Sequence, residues 1–298
     1  MTSNKKHRVF IDTDIGDDID DIWALTIALS NPSIDVIGIS VNTGDTTYKA
    51  TLVAKILYLI NYNAIPIFIG KKTKSLGNFH ESWLKDFNLN AYQGLVSNNF
   101  NQFKSFLTNE KNFKFLALGP MYNLEKLHND FDFDLNLLSI ISMSGSIYKG
   151  YINQNNPGPE YNIIENIDAY KLVITKCIDF IMCPLDVSRN IVIDGKLYQK
   201  ILHSKTVYSK IIIENYIIWD KYYKGGALKF NPNKSSTILF DLVVIMYLLF
   251  ERNYTKEVID LDILKDGSIS LNGSNQVSCL INVQSQTKMI KEITKFLL

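Results

Sequence analysis

The chain alternates short, continuously apolar runs with longer segments of helical pattern, and this alternation limits its fold more than any other feature. Runs rich in β-branched residues recur at Arg8–Asp12, Asp35–Val41, Ile65–Gly70, Phe113–Gly119, Leu137–Gly145 and Asp179–Ser188. The segment Ile22–Leu29 is apolar nearly all round, which is typical of a helix packed on a sheet. Together they predict an α/β fold: an open, mostly parallel, Rossmann-like sheet flanked by helices. We expect one domain over residues 1–298.

The remaining elements follow from shorter patterns. A second helix is predicted to begin at Thr46 or Thr47, with a buried face formed by Leu52, Ile56, Leu59 and Ile60. A loop over Lys224–Ser236 precedes a predicted helix over Thr237–Phe250. Strands are then expected near Ile259–Leu264, Ser268–Leu271 and Val277–Val283, followed by a short helix.

The charge balance and the cysteine content argue against several classes of protein. The 31 basic and 30 acidic residues nearly cancel, so no basic surface for nucleic acid or membranes is expected. Three scattered cysteines, Cys177, Cys183 and Cys279, predict neither disulfides nor a thiolate zinc site. No secretory h-region or membrane-spanning apolar run is evident, so we expect a cytoplasmic protein.

The segment Val9–Leu25, VFIDTDIGDDIDDIWAL, places six aspartates between a buried strand and a buried helix. Ligands of open α/β sheets bind at the carboxyl ends of strands, where these aspartates lie. Anions this close repel one another unless a cation neutralises them, and carboxylate ligands favour Ca²⁺ or Mg²⁺ over softer metals. A simpler explanation is a solvated loop in which Asp20 and Asp21 favour the helix dipole. The position directly after the first strand favours the metal site.

Three further segments carry weaker signals. Asp241 opens an apolar helix and is either its N-cap or a distant ligand that closes the metal site. Glu160 and Asn162 would face one side of an extended segment and hold sugar hydroxyls, but a turn and a helix start explain them equally well. The turn Gly119–Asn123 is either purely structural or offers a backbone carbonyl to a metal.

In this order, the segments resemble the inosine-uridine preferring nucleoside hydrolase family. The Asp-x-Asp-x-Gly opening with its Asp-Asp pair, the Gly-Pro-x-x-Asn turn, the Glu-x-Asn element, the Pro-Leu-Asp-Val segment and the late helix-opening Asp all match, from about residue 8 to residue 250. The resemblance implies a metal-dependent hydrolase that cleaves the N-glycosidic bond of ribonucleosides, or of a related ribosyl compound. It also implies a homo-oligomer, since family members are usually dimers or tetramers.

The same resemblance implies roles for individual residues. Asp14 would be both a metal ligand and the base that activates the attacking water, and the other Ca²⁺ ligands would be Asp21, Asp241 and the carbonyl of Tyr122. Clustered carboxylates would stabilise the oxocarbenium-like sugar in the transition state. The residues expected around the sugar are Asp20 and Asn162 at the diol, Glu160 at the 5′ side, Asp45 where the family usually has an Asn, and Asp12 as an orienting neighbour.

The chain departs from the family pattern at three places. Two extra residues separate Gly16 from the Asp-Asp pair, so Asp17 and Asp18 lie in a longer loop. Phe240 stands where well-known members carry a His that protonates the leaving base. The amide on the 5′ side is ambiguous among Gln154, Asn155 and Asn156.

The missing His leaves the proton for the departing base without a donor. His80 is the best alternative, because the family often has a His in a mobile loop there, although a lone loop His is usually only solvated. Phe240 and Trp219 could instead stack on a base, although aromatic residues near helices more often belong to the core.

Two other functions fit parts of the sequence. A haloacid dehalogenase-type phosphatase also begins with a strand and Asp-x-Asp and would use Asp12 as its nucleophile, but Gly16 does not fit its pattern. A non-catalytic ribose or nucleoside binder on the same fold is the other alternative, because Phe240 removes the usual acid.

Overall fold

The computed structural model describes residues 6–74, 77–154, 156–223 and 230–298, and a ten-stranded sheet lies at its centre. The strands are β1 (His7–Thr13), β2 (Ile34–Val41), β3 (Ile67–Ile69), β4 (Val96–Ser97), β5 (Lys114–Ala117), β6 (Ser139–Met143), β7 (Asp179–Cys183), β8 (Tyr254–Ile263), β9 (Ile269–Leu271) and β10 (Asn275–Val283). Their order is β4-β3-β2-β1-β5-β6-β7-β10-β8-β9. Strand β8 is antiparallel to both of its neighbours, β10 and β9, and all the other pairs are parallel, so the predicted mostly parallel sheet is confirmed.

Helices cover both faces of this sheet. They are α1 (Asp20–Ser30), α2 (Thr46–Leu59), α3 (Glu81–Leu84), α4 (Phe100–Asn109), α5 (Tyr122–Phe131), α6 (Tyr161–Glu165), α7 (Ile167–Lys176), α8 (Leu185–Ser188), α9 (Gly195–His203), α10 (Val207–Tyr222), α11 (Leu242–Phe250) and α12 (Gln286–Thr294). Strand β1 is buried on both sides, because Phe10 packs with Phe68 and Phe115 on one face while Val9 and Ile11 enter the core on the other. Such a strand reads as a continuous apolar run, which is why the sequence pattern located it.

The strand order reverses at β1, which lies between β2 and β5. In open α/β sheets a crevice forms at such a point, outside the carboxyl ends of the strands. Thr13 ends β1 and Ala117 ends β5, so the aspartate-rich segment and the turn after β5 meet at this crevice.

Three details differ from the sequence-based expectations. Helix α11 begins at Leu242 rather than Thr237, because the preceding segment hydrogen-bonds elsewhere: the Leu239 amide donates to the Ile191 carbonyl (2.8 Å). Helix α2 is capped by Asp45, whose carboxylate accepts from the first-turn amides, and not by a threonine. Leu59 is 38% exposed, so it does not belong to the buried face of α2.

Within the described ranges, the helices are all too short or too polar to cross a membrane. Cys177, Cys183 and Cys279 are buried free thiols. Part of the predicted loop Lys224–Ser236 lies outside the described residues, as does Asn155.

Candidate active site

A cavity of about 510 Å³ lies at the carboxyl ends of the central strands. Its size suits a small organic ligand. Two chemically different sets of side chains line it. The polar set consists of Asp14, Asp17, Asp18, Asp20, Asp21, Asn153, Gln154, Glu160, Asn162, Thr237 and Asp241. The apolar and aromatic set consists of Leu118, Met143, Tyr151, Ile152, Tyr161, Trp219, Tyr223, Phe230, Ile238 and Phe240.

Aspartates from both ends of the chain converge at this cavity. Asp20 and Asp21 open α1, and Asp241 directly precedes α11. One carboxylate oxygen from each lies within 4.8 Å of the other two, and all three residues are buried. The side chain of Asp241 makes no capping hydrogen bond, although its backbone amide donates to Asp20 Oδ2 (3.4 Å). The carboxylate of Asp241 therefore remains available to a ligand.

Burial strongly changes the acidity of these carboxyl groups. Desolvation, and then the charge of neighbouring carboxylates, raises the pKa of Asp20, Asp21 and Asp241 well above the usual range. The pKa of Asp14 is raised to about 7, chiefly by burial, with Lys49 opposing the shift. Asp14 is 6% exposed and lines the cavity, but it is not one of the three carboxylates in closest approach.

The cluster has the donors that a hard divalent cation prefers. Three buried carboxylates face one another, and within the described ranges Lys49 is the one buried lysine or arginine. Its ammonium pairs with Asp17, so it does not neutralise the cluster of three by direct contact. Oxygen-only ligands with uncompensated negative charge fit Ca²⁺ or Mg²⁺.

Asp12 lies below the cavity and is fully buried. The side chains of Ser40, Asn42 and Asn123 donate to its carboxylate, the Asn42 and Asn123 amides at 2.9 and 2.7 Å. Burial raises its pKa to about 6, against these hydrogen bonds. A carboxylate enclosed in this way cannot attack a phosphate ester, so the geometry argues against the phosphatase alternative.

Several of the residues expected at the sugar line the cavity, among them Asp20, Glu160 and Asn162. Glu160 is the N-cap of α6, and Asn162 lies in the first turn, so the segment is a helix start rather than extended. Burial raises the pKa of Glu160 to about 7, against hydrogen bonds from three backbone amides. The Asn162 amide nitrogen donates to the carbonyls of Leu118 (2.7 Å) and Met143 (3.0 Å), which leaves its oxygen for a ligand. Gln154 also lines the cavity, whereas Asn156 does not.

Two predicted site residues, His80 and Asp45, lie elsewhere, and these placements correct the expectations. His80 is fully buried and does not line the cavity, and its backbone amide donates to the Tyr48 hydroxyl. Burial lowers the pKa of its imidazole to about 4, so the ring is neutral at pH 7. The Asp45 carboxylate caps α2 and is not at the cavity. The Tyr122 hydroxyl donates to the Glu165 carbonyl, a contact that does not involve its backbone carbonyl, so the expected carbonyl ligand stays a prediction.

Aromatic side chains also line the cavity. Trp219 and Tyr223 stack with ring centroids 4.2 Å apart, and Tyr151 meets Phe240 edge-on at 5.8 Å. The sequence suggested Phe240 and Trp219 but missed Tyr151, Tyr161 and Tyr223. Nothing in their local pattern distinguishes them from core or surface tyrosines. Among the described residues that line the cavity there is no histidine.

Comparison with known proteins agrees with this arrangement. The family model of the inosine-uridine preferring nucleoside hydrolases matches residues 9–293. The probable uridine nucleosidase 2 of Arabidopsis thaliana is 27% identical over 241 residues, which cover 75% of this chain and 72% of that protein. The non-specific ribonucleoside hydrolase RihC of Salmonella typhimurium is 26% identical over 206 residues, 65% of this chain and 66% of its own length.

Solved structures share the fold over nearly the whole chain. A plant nucleoside hydrolase, PpNRh1, has a TM-score of 0.77 at 17% identity and covers 98% of both chains. The inosine-uridine preferring nucleoside hydrolase of Bacillus anthracis has a TM-score of 0.73 at 15% identity, covering 98% of this chain and 99% of that one. The chain therefore belongs to the inosine-uridine preferring nucleoside hydrolase family and is an N-glycosyl hydrolase of ribonucleosides.

Proposed function

We propose that the chain cleaves ribonucleosides to the free base and ribose with Ca²⁺ as its cofactor, and Mg²⁺ as a second possibility. The observation that carries this proposal is the convergence of Asp20, Asp21 and Asp241 at a cavity that aromatic side chains also line. The acids suit a cation and a sugar diol, and the aromatic side chains suit a nucleobase.

Asp21 and Asp241 are the proposed ligands, with Asp20 close enough to join them and Asp14 on the same cavity wall. The carbonyl of Tyr122, implied by the family, lacks support from the cavity lining. When bound, a divalent cation polarises the attacking water and the sugar hydroxyls. Asp20 and the free oxygen of Asn162 would orient the 2′- and 3′-hydroxyls, and Glu160 and Gln154 the 5′ side.

Asp14 is the proposed general base. Its carboxylate lines the cavity, and in the metal-free protein burial raises its pKa to about 7, so it is a stronger base than an exposed aspartate. The surrounding carboxylates stabilise the positive charge that develops on the sugar as the C1′–N bond breaks.

The departing base is held by aromatic contacts rather than by a histidine. Two aromatic pairs that line the cavity, Tyr151 with Phe240 and Trp219 with Tyr223, are the proposed contacts of the base. Stacking of this kind accepts any nucleobase, because each has a π face. Because no histidine protonates the departing base, the rate of hydrolysis should depend strongly on how good a leaving group the base is.

The cellular setting is proposed on coarser grounds. Buried free thiols are consistent with a reducing compartment such as the cytoplasm. The continuous sheet supports a single domain, and family resemblance supports a homo-oligomer.

The direct test is product analysis. Purified protein with calcium is incubated with uridine, inosine, cytidine, adenosine and 2′-deoxyuridine, and free base and reducing sugar are quantified. We expect release of base from ribonucleosides and a loss of at least about 100-fold with 2′-deoxyuridine, since one of the two diol contacts is missing. Calorimetric binding of ribonucleosides without base release would instead support the non-catalytic binder.

A further inference from the structure

Lys49 of α2 is a cation inside the acidic part of the molecule. Its side chain is 1% exposed. The ammonium donates to the backbone carbonyl of Asp14 (2.7 Å), to Asp17 Oδ2 (2.6 Å) and to Thr43 Oγ1 (3.0 Å). All three hydrogens of the ammonium therefore have acceptors, and one acceptor belongs to the residue proposed as the general base.

The segment that Lys49 contacts is held from several sides. Gly16 turns the chain with φ +101°, and a Cβ there would lie 2.9 Å from Leu52 and 3.1 Å from Tyr48, both on the same helix as Lys49. The Trp219 indole nitrogen donates to the carbonyl of Asp17 (3.3 Å) from α10. Helix α2 thus packs directly on the turn between Asp14 and Asp18. Its Lys49 bonds to two residues of that turn, Asp14 and Asp17.

Two explanations of Lys49 are possible in principle. It could serve only to neutralise Asp17, which is 9% exposed and would otherwise be a buried, unpaired anion. The bond to the Asp14 carbonyl does not serve that purpose, because a carbonyl needs no counter-charge. It fixes the backbone from which the Asp14 carboxylate projects into the cavity.

We propose that Lys49 is a positioning residue for Asp14, holding the Asp14–Asp18 turn in the geometry that catalysis and cation binding require. The expected effect of Lys49 on the rate rests on the proposed function. Its role in holding the Asp14–Asp18 turn rests on the contacts above. A displacement of a reacting group by about 1 Å costs on the order of 100-fold in rate. A role in folding alone would not reduce the rate of correctly folded enzyme.

The experiment separates the two roles with the double variant Lys49→Met/Asp17→Asn, which removes the buried ion pair without leaving an unpaired charge. Its melting temperature, calcium dissociation constant by calorimetry, and kcat and KM for uridine are measured against wild type. Lys55→Met is the control, since Lys55 lies on the same helix and bonds to the Trp83 carbonyl instead. Lys49→Arg is the second variant, because it keeps the charge beside Asp17 but cannot place one nitrogen on three acceptors.

We expect the double variant to have kcat reduced about 10- to 100-fold, KM within about threefold of wild type, and calcium affinity lowered at least about tenfold. Lys49→Arg should fold and show a similar loss of kcat, and Lys55→Met should match wild type. A double variant, or a Lys49→Arg variant, with wild-type kcat and calcium affinity overturns the proposal. If wild type releases no base, the proposed function fails, but a calcium affinity that falls in both Lys49 variants still supports the positioning role.

Discussion

Replacing Asp241 with asparagine should stabilise the metal-free protein and weaken calcium binding at the same time. Asparagine has nearly the same shape, and the Asp241 side chain makes no capping hydrogen bond that the substitution would remove. The change takes one of three anions out of a cluster whose oxygens lie within 4.8 Å of one another.

The magnitude follows from Coulomb's law. Two unit charges 4.8 Å apart repel by about 3 kcal/mol at an effective dielectric constant of about 20. Two such pairs are lost, but the raised pKa values mean that protonation already relieves part of the repulsion. We therefore expect a gain of about 3 kcal/mol in the free energy of unfolding without metal, which corresponds to a melting temperature about 6 °C higher.

Calcium should remove the stability that Asp241→Asn gains over wild type in the metal-free state. Loss of one charged ligand should raise the calcium dissociation constant at least about 100-fold, which removes about 3 kcal/mol of calcium-dependent stabilisation. The assay is thermal unfolding in EDTA and in excess calcium. Asp194→Asn is the matched control, because Asp194 is also an N-cap without a side-chain capping bond, but it is exposed. The reasoning would be refuted by an Asp241→Asn protein that melts lower than wild type in EDTA. It would also be refuted if calcium raised the melting temperature of this variant as much as that of wild type.

Three other expectations concern the surroundings of the cluster. Metal-free protein should lose stability as the pH rises from about 5 to about 8, because acids with raised pKa values bind more protons in the folded state. Asp12, with a pKa of about 6 against 3.8, accounts for about 1 kcal/mol of this loss. Thermal unfolding across this range in EDTA checks it, and stability that is flat or rises with pH contradicts it. His80→Ala should slow hydrolysis of uridine and of p-nitrophenyl riboside equally, because the imidazole is not at the cavity; a selective loss on uridine would restore it as the acid. Gly119→Ala should lower kcat about 100-fold, because an added Cβ collides with the Asp14 carboxylate; an unchanged kcat in steady-state assays would show that the carboxylate can move freely.

The sequence predicted the features that depend on local pattern. Strand β1 and the aspartates after it form a buried strand followed by a helix start, and both signals lie within one short segment. The approach of Asp241 to Asp20 joins residues far apart in the chain; the local pattern left Asp241 open between an N-cap and a distant ligand, and the family resemblance favoured the ligand. No periodicity or spacing encodes such a contact, because it depends on how the whole sheet is ordered.

The errors have tertiary causes. His80 looked like a loop residue, but packing against α2 and α10 buries it. Asp45 looked like a sugar ligand, but its carboxylate is used by the first turn of α2. Lys49 was overlooked although it lies three residues before the buried Leu52, on the inward face of the same helix. A lysine at such a position is a signal that sequence reading can use.

The most direct test is the dependence of uridine hydrolysis on added calcium. Protein freed of metal with EDTA and then dialysed is titrated with Ca²⁺ while uracil release is followed. We predict no release above background without the ion and a rate that saturates as one calcium binds per chain. An undiminished rate in EDTA would contradict the idea that the converging aspartates act through a bound cation.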